Sequence, residues 1–198
     1  MPSMEDRATL RGAAVVLDDR TVLREVDLAA GPGITVVRGQ NGAGKTTLLR
    51  ALAGLIPLAR GTRAVDGEVL YLGHRPQLHR ALSARENLAF FARYRGLAVD
   101  GIAAALLSWG VTDTARPVEL LSAGQRRRAS LARLEIERCA VVLLDEPFAE
   151  LDDEAAVLLA GRLEDCGARG QTVVIATHAH AELRRYRTLR LDAGTLVE

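Results

Sequence analysis

The sequence predicts an α/β fold built on a parallel sheet, with a small antiparallel β subdomain and an inserted helical subdomain. Three observations carry this. The runs Ile34-Thr35-Val36-Val37, Val141 to Leu144 and Val173 to Ala176 are apolar throughout, which suits parallel strands buried on both faces. Helical periodicity lies between them, so the strands are joined by right-handed crossovers. The first run leads directly into the glycine-rich segment Gly39-Gln40-Asn41-Gly42-Ala43-Gly44-Lys45-Thr46-Thr47, which gives the core a phosphate-binding loop (P-loop).

The elements follow in order. Residues 8–17 and 22–30 read as an antiparallel strand pair turning at Asp18-Asp19-Arg20. The helix after the glycine-rich loop places Leu48, Leu52 and Leu55 on one stripe and stops near Gly54 and Pro57. Glu68 to Leu72 is a short strand. From about residue 80 to 138 the texture is helical. Ser83-Ala84-Arg85-Glu86 forms a capping box that opens a helix through Tyr94. Asp100 caps a helix ending at Gly110, and Ser122-Ala123-Gly124-Gln125 opens one through Arg138. Ala156, Leu159, Ala160 and Leu163 form a helical stripe, and short strands near 186–191 and 195–197 close the chain. Residues 1–198 thus form one domain. The core and β subdomain occupy 1–78 and 139–198, and the helical subdomain about 79–138.

Composition narrows the function classes. A chain of 198 residues buries about 70% of its unfolded surface and needs no disulfide or metal staple. Net charge is +1, and the only basic block is Arg126-Arg127-Arg128, so a nucleic-acid partner has no electrostatic support. No apolar run is long enough to span a bilayer, and Glu5, Asp6 and Arg7 interrupt any leader-like stretch. Cys139 and Cys166 are far apart without a ligand pattern, the usage of two structural thiols in a reduced, cytoplasmic chain.

Lys45 is the only lysine among 26 Lys and Arg residues. Arginine is a wide planar fork, whereas lysine is a point charge on a thin stem that threads between phosphates. The spacing Gly39-x-x-x-x-Gly44-Lys45-Thr46 lets backbone N–H groups converge on phosphate oxygens, with the next helix presenting its positive N-terminus. Lys45 then reaches the β/γ-phosphates, and the Thr46 hydroxyl ligates Mg²⁺. Val141 to Leu144 is an apolar strand ending in Asp145 and Glu146. Ligands of open α/β sheets sit at the carboxyl ends of strands. Asp145 is therefore the second Mg²⁺ residue and Glu146 the general base for the attacking water. An Asp-Glu pair can also merely end a strand and cap a helix; the phosphate loop upstream decides between the two.

Leu121-Ser122-Ala123-Gly124-Gln125 resembles the Leu-Ser-Gly-Gly-Gln signature of ATP-binding cassette (ABC) proteins. The order of the remaining motifs extends the resemblance over nearly the whole chain. Gln77 matches the Q-loop, Ala149-Glu150-Leu151-Asp152 the D-loop with Asp152 at its acid, and Thr177-His178 the switch histidine. The resemblance implies an ABC ATPase fold, ATP and Mg²⁺ as ligands, and hydrolysis of ATP to ADP and phosphate coupled to transport. It implies that Gln77 links Mg²⁺ or the lytic water to a membrane partner and that His178 contacts the γ-phosphate. Ser122, Ala123, Gly124 and Gln125 would face the nucleotide of a second copy, giving a homodimer on ATP binding. Energy would pass to an integral membrane permease, with the chain peripheral on the inner face of the membrane and not inserted.

Leu72-Gly73-His74-Arg75-Pro76-Gln77, the segment Leu82 to Phe90, and Ala123 within the signature resemble the cytochrome c maturation ATPases, the so-called haem exporter subunits. The surface after Gln77, with Leu78, Leu82, Phe90 and Phe91, is then the candidate groove for a partner helix. His74, His79 and His180 are assigned structural or solvent-facing roles, Arg126 to Arg128 a solvated or dimer-facing side of their helix, and Trp109 a packing role. Leu17 stands where an ABC aromatic would stack on adenine, and Ala149-Glu150 replaces small D-loop residues. Two alternatives stay open: a subunit of another exporter class, for drugs or lipids, and a nucleotide-dependent switch with low turnover.

Overall fold

The computed structural model describes residues 6–178 and 183–197. Along the chain run β1 (Ala8–Leu17), β2 (Arg20–Ala30), β3 (Gly33–Arg38), α1 (Lys45–Leu52), β4 (Arg60–Val65) and β5 (Val69–Leu72). Then come α2 (Ala84–Tyr94), α3 (Ile102–Ser108), a 3₁₀ turn at Val118–Leu120, α4 (Ala123–Leu131) and α5 (Arg133–Ile136). The chain closes with β6 (Val141–Asp145), α6 (Asp153–Ala168), β7 (Thr172–Ala176), β8 (Arg187–Asp192) and β9 (Thr195–Val197). These elements form two compact units, one of residues 1–74, 139–148 and 158–198, the other of residues 75–138 and 149–157.

The first unit holds two sheets. The larger has the order β5-β6-β7-β3-β8-β9, parallel except for the antiparallel edge strand β9. Every residue of β6 and β7 is buried, as their unbroken apolar runs require. The smaller sheet, β2-β1-β4, is antiparallel. One apolar core joins Leu10, Val15, Leu23 and Val26 of the small sheet to Leu48, Leu49 and Leu52 of α1 and Leu143 and Val174 of the large sheet.

Strand β4 has no counterpart in the sequence reading. It is an edge strand of mostly exposed residues with three polar side chains, so it shows neither alternation nor an apolar run. Helix α1 ends at Leu52, and Leu55 lies beyond it, 58% exposed rather than on the buried stripe. On α6 the buried face runs through Ala155, Leu159, Ala160, Leu163 and Cys166, while Ala156 is half-buried.

In the second unit both capping boxes form with reciprocal bonds, at Ser83/Glu86 and Ser122/Gln125. Asn87 is buried and ties the loop before α2 to the helix. It accepts from the His79 N–H and donates to the carbonyls of His79, Leu82 and Ser83. Helix α3 begins after Gly101 without a side-chain cap, so Asp100 is not its N-cap. The helix expected through Arg138 is instead α4 followed by α5, ending at Ile136. Glu137 leaves helical geometry, and its buried carboxylate pairs with Arg133 and Arg95. Arg133 also lies 3.6 Å over the Phe91 ring. Arg127 is fully buried, correcting its placement on a solvated face: it shares the inner side of α4 with Ser130 and Leu131. Trp109 is buried, as its packing role requires.

Candidate active site

The site in the first unit grows from strand register. Val37 of β3 and Asp145 of β6 both stand level with Ala176 of β7. The carboxyl ends of three strands therefore finish on one edge, and the segments that follow them meet there. Two backbone bonds lock this edge: Glu146 N–H to Ala176 O (2.8 Å) and Thr177 N–H to Val37 O (3.1 Å).

After β3 the chain turns through residues 39–44, with Gly42 and Gly44 in the left-handed region at φ 82° and 103°. Gly44 is the N-cap of α1 and brings no side chain to it, so the first N–H groups of the helix lack a side-chain cap. Such a terminus is an anion site. Gln40, Asn41 and Gly42 are exposed, Ala43 is buried, and Thr47 is half-buried. Lys45 is 7% exposed, and its Nζ donates to the carbonyls of Gly39 (2.8 Å) and Gln40 (3.1 Å). The loop thus folds around the ammonium and holds it with backbone oxygens.

Thr46 Oγ1 donates to Asp145 Oδ2 at 2.7 Å. The two residues stand far apart in sequence, and Asp145 is 2% exposed. A hydroxyl and a carboxylate side by side are hard oxygen donors. They fit a magnesium ion that keeps several waters and takes its other ligands from phosphate.

Glu146 occupies the left-handed region at φ 47°, a conformation that costs a non-glycine residue roughly 1–3 kcal/mol. Both carboxylate oxygens are engaged. Oε2 accepts from the Thr177 hydroxyl (3.0 Å), and Oε1 lies 2.8 Å from His178 Nδ1. An ionised carboxylate only accepts, so Nδ1 carries the proton of that bond. Thr177 is fully buried while His178 is exposed. Thr177 has no role in the sequence reading. Its only signal is a hydroxyl placed between an apolar strand and a histidine.

The other candidate residues lie in the second unit. Gln77 is exposed in an irregular segment. Ser122 Oγ accepts from the Gln125 N–H (3.2 Å), and Gln125 Oε1 accepts from the Ser122 N–H (2.9 Å). A hydroxyl used as acceptor still carries a proton to donate. Ala123 is the first residue of α4 and helical, so that position makes no demand for glycine. At Gly124 an added Cβ would lie 3.1 Å from the Glu150 carbonyl. Asp152 Oδ1 accepts from the Ala155 N–H (2.9 Å) at the start of α6. His74 and His79 are exposed, and His180 lies outside the described residues.

The chain is similar to known proteins over most of its length. The family model described as ABC transporter matches residues 23–149. A cytochrome c biogenesis ATP-binding export protein of Cupriavidus necator is 43% identical over 190 residues, covering 88% of this chain and 83% of its own. A protein of the same description from Paracoccus denitrificans is 45% identical over 162 residues, covering 80% and 76%. A solved structure described as the ATP-binding subunit of an ABC transporter superposes with a TM-score of 0.86 at 21% identity, covering 96% of this chain and 87% of its own. The chain belongs to the ABC transporter family and, within it, to the group of cytochrome c biogenesis ATP-binding export proteins.

Proposed function

We propose that this chain hydrolyses ATP to drive an export step in cytochrome c biogenesis. The observation that carries the reading is the cluster at one sheet edge: Lys45 in its glycine loop, Thr46 on Asp145, and Glu146 held by Thr177 and His178. The loop amides and Lys45 bind the β- and γ-phosphates. Thr46 and Asp145 would hold Mg²⁺, which would supply positive charge to neutralise the phosphates. Glu146 accepts a proton from the attacking water, and His178 contacts the γ-phosphate. Gln77 connects the site to a membrane partner.

Two copies then meet head to tail. Ser122, Ala123, Gly124 and Gln125 of each copy close on the nucleotide of the other, and Asp152 lines the same interface. ATP contacts favour the closed pair, and loss of the γ-phosphate removes them, a shift of population by differential contacts. Among the described residues no helix is long and apolar enough to cross a membrane. We therefore assign the permeation path to an integral membrane permease, with this chain peripheral on the inner face. Helix α2 offers it a surface: Phe90 is 61% and Tyr94 83% exposed, their rings stacked at 6.4 Å. An amphipathic helix of the permease laid across these rings would bury both.

The test is ATP turnover with Mg²⁺, measured with and without the copurified permease. Glu146→Gln should lower kcat by about 10²–10⁴-fold while ATP still binds. Turnover at the parental rate would sink the base assignment. Deletion should remove c-type cytochromes; a change in drug or lipid efflux instead would point to another exporter class.

A further inference from the structure

The turn between β8 and β9 lies against the phosphate loop, although it follows that loop by about 150 residues of chain and falls outside the segment matched by the family model. Gly194 donates its N–H to the carbonyl of Ala43 at 3.2 Å. Its own carbonyl accepts from the Arg24 N–H at 2.8 Å, which fastens the turn to β2. The fit is close. A Cβ on Gly194 would lie 2.2 Å from the Val22 carbonyl oxygen, and one on Gly39 would lie 2.3 Å from the Leu191 carbonyl oxygen. Gly194 also has φ 83°, where side chains are strained. No residue but glycine fits at 39 or 194 unless backbone shifts.

We infer that Gly194 is a positioning residue for nucleotide binding: by holding the Ala43 carbonyl outward, it aims the Gly44 amide at the phosphate. The reason is peptide geometry. The C=O of residue 43 and the N–H of residue 44 belong to one planar trans unit and point in opposite directions. A bond that fixes the carbonyl on the outer side of the loop fixes the amide on the inner side. Loop amides bind anions well when they are already aimed, because no ordering cost is then met on binding. Gly194 thus belongs to the anion site, acting through the Ala43–Gly44 peptide. The inference rests on the reading that this loop binds nucleotide phosphate.

Amide NMR on the full chain separates the two. In the nucleotide-free protein the Gly194 amide should exchange at least tenfold more slowly than that of Ala193, which sits in the same turn. On adding MgADP, the Gly44 and Gly194 resonances should shift together. Loss of the Gly44 shift would overturn the phosphate reading itself. A Gly44 shift with Gly194 unmoved, or a Gly194 amide that exchanges as fast as Ala193, would overturn only the positioning role. Gly194→Ala should weaken MgADP binding tenfold or more and raise KM for ATP, with kcat at saturation changed less than threefold. Ala193→Gly, which relaxes the turn without touching the loop, should bind like the parent. Parental affinity in a Gly194→Ala chain that melts cooperatively would refute the inference, and the exchange result on the parent decides it if that variant fails to fold.

Discussion

Thr177 connects a fully buried hydroxyl to the carboxylate of Glu146 at 3.0 Å. Glu146 needs such a restraint. Its left-handed backbone is strained, and its other oxygen lies beside the exposed ring of His178. A hydrogen bond to a charged group contributes roughly 1.5–3 kcal/mol. Thr177→Val, which keeps the shape and removes the donor, should therefore lower kcat about tenfold or more. KM should stay near the parental value, and Thr177→Ser should restore most of the rate. Equal losses in Val and Ser variants, or a change confined to KM, would show that the hydroxyl only packs. This residue was not legible in the sequence, because threonine in a strand end is ordinary. By contrast Lys45 was conspicuous, being the sole amine in an arginine-rich chain.

Elements differ in how openly the sequence declares them. Strands β6 and β7 were legible because both faces are covered and each carries an apolar run, Val141 to Leu144 and Val173 to Ala176. Helix α2 was legible from its first turn, where Ser83 and Glu86 form the reciprocal box. Strand β4 was hidden, since an exposed edge strand needs only backbone pairing with β1. The break between α4 and α5 was hidden for another reason: Glu137 turns inward to Arg133 of α5 and to Arg95, which caps the end of α2, and no local pattern pairs it with Arg95. The α2 box also makes a pH prediction. Bonds from the Ser83 N–H and then its hydroxyl lower the Glu86 pKa below its ordinary 4.5. The folded state therefore binds fewer protons there than the unfolded chain. The contribution is complete above the ordinary carboxylate value and fades as pH falls below it through the folded value. Melting of the parent and of Glu86→Gln should converge as pH drops through this window and separate above it. Ser83→Ala should cost about 1 kcal/mol at neutral pH. A parent–variant difference independent of pH would exclude the charge and leave only the hydrogen bonds.

At the scale of the whole molecule the chain is an ATP-hydrolysing transporter subunit, and under the proposed head-to-tail arrangement one sequence would supply every part of two facing sites. A symmetric pair of identical chains would then hold two competent sites. With MgATP, Glu146→Gln should run at twice the monomer mass by light scattering, while the same protein without Mg²⁺ or with ADP stays monomeric. Adding Ser122→Arg to the Glu146→Gln background should abolish the pair without lowering the melting temperature by more than a few degrees. A monomer under all conditions would remove the trans role of Ser122. The sequence by itself determined the ATPase class, the buried strands and the capped helix starts, because a phosphate loop, strand burial and capping each demand particular residues at short, local spacing. Only the tertiary structure decided which distant residues meet: Thr46 with Asp145, Thr177 with Glu146, and Gly194 with Ala43. Those meetings follow from strand order and register, in which β7 lies between β6 and β3, and no local pattern encodes the order in which parallel strands align.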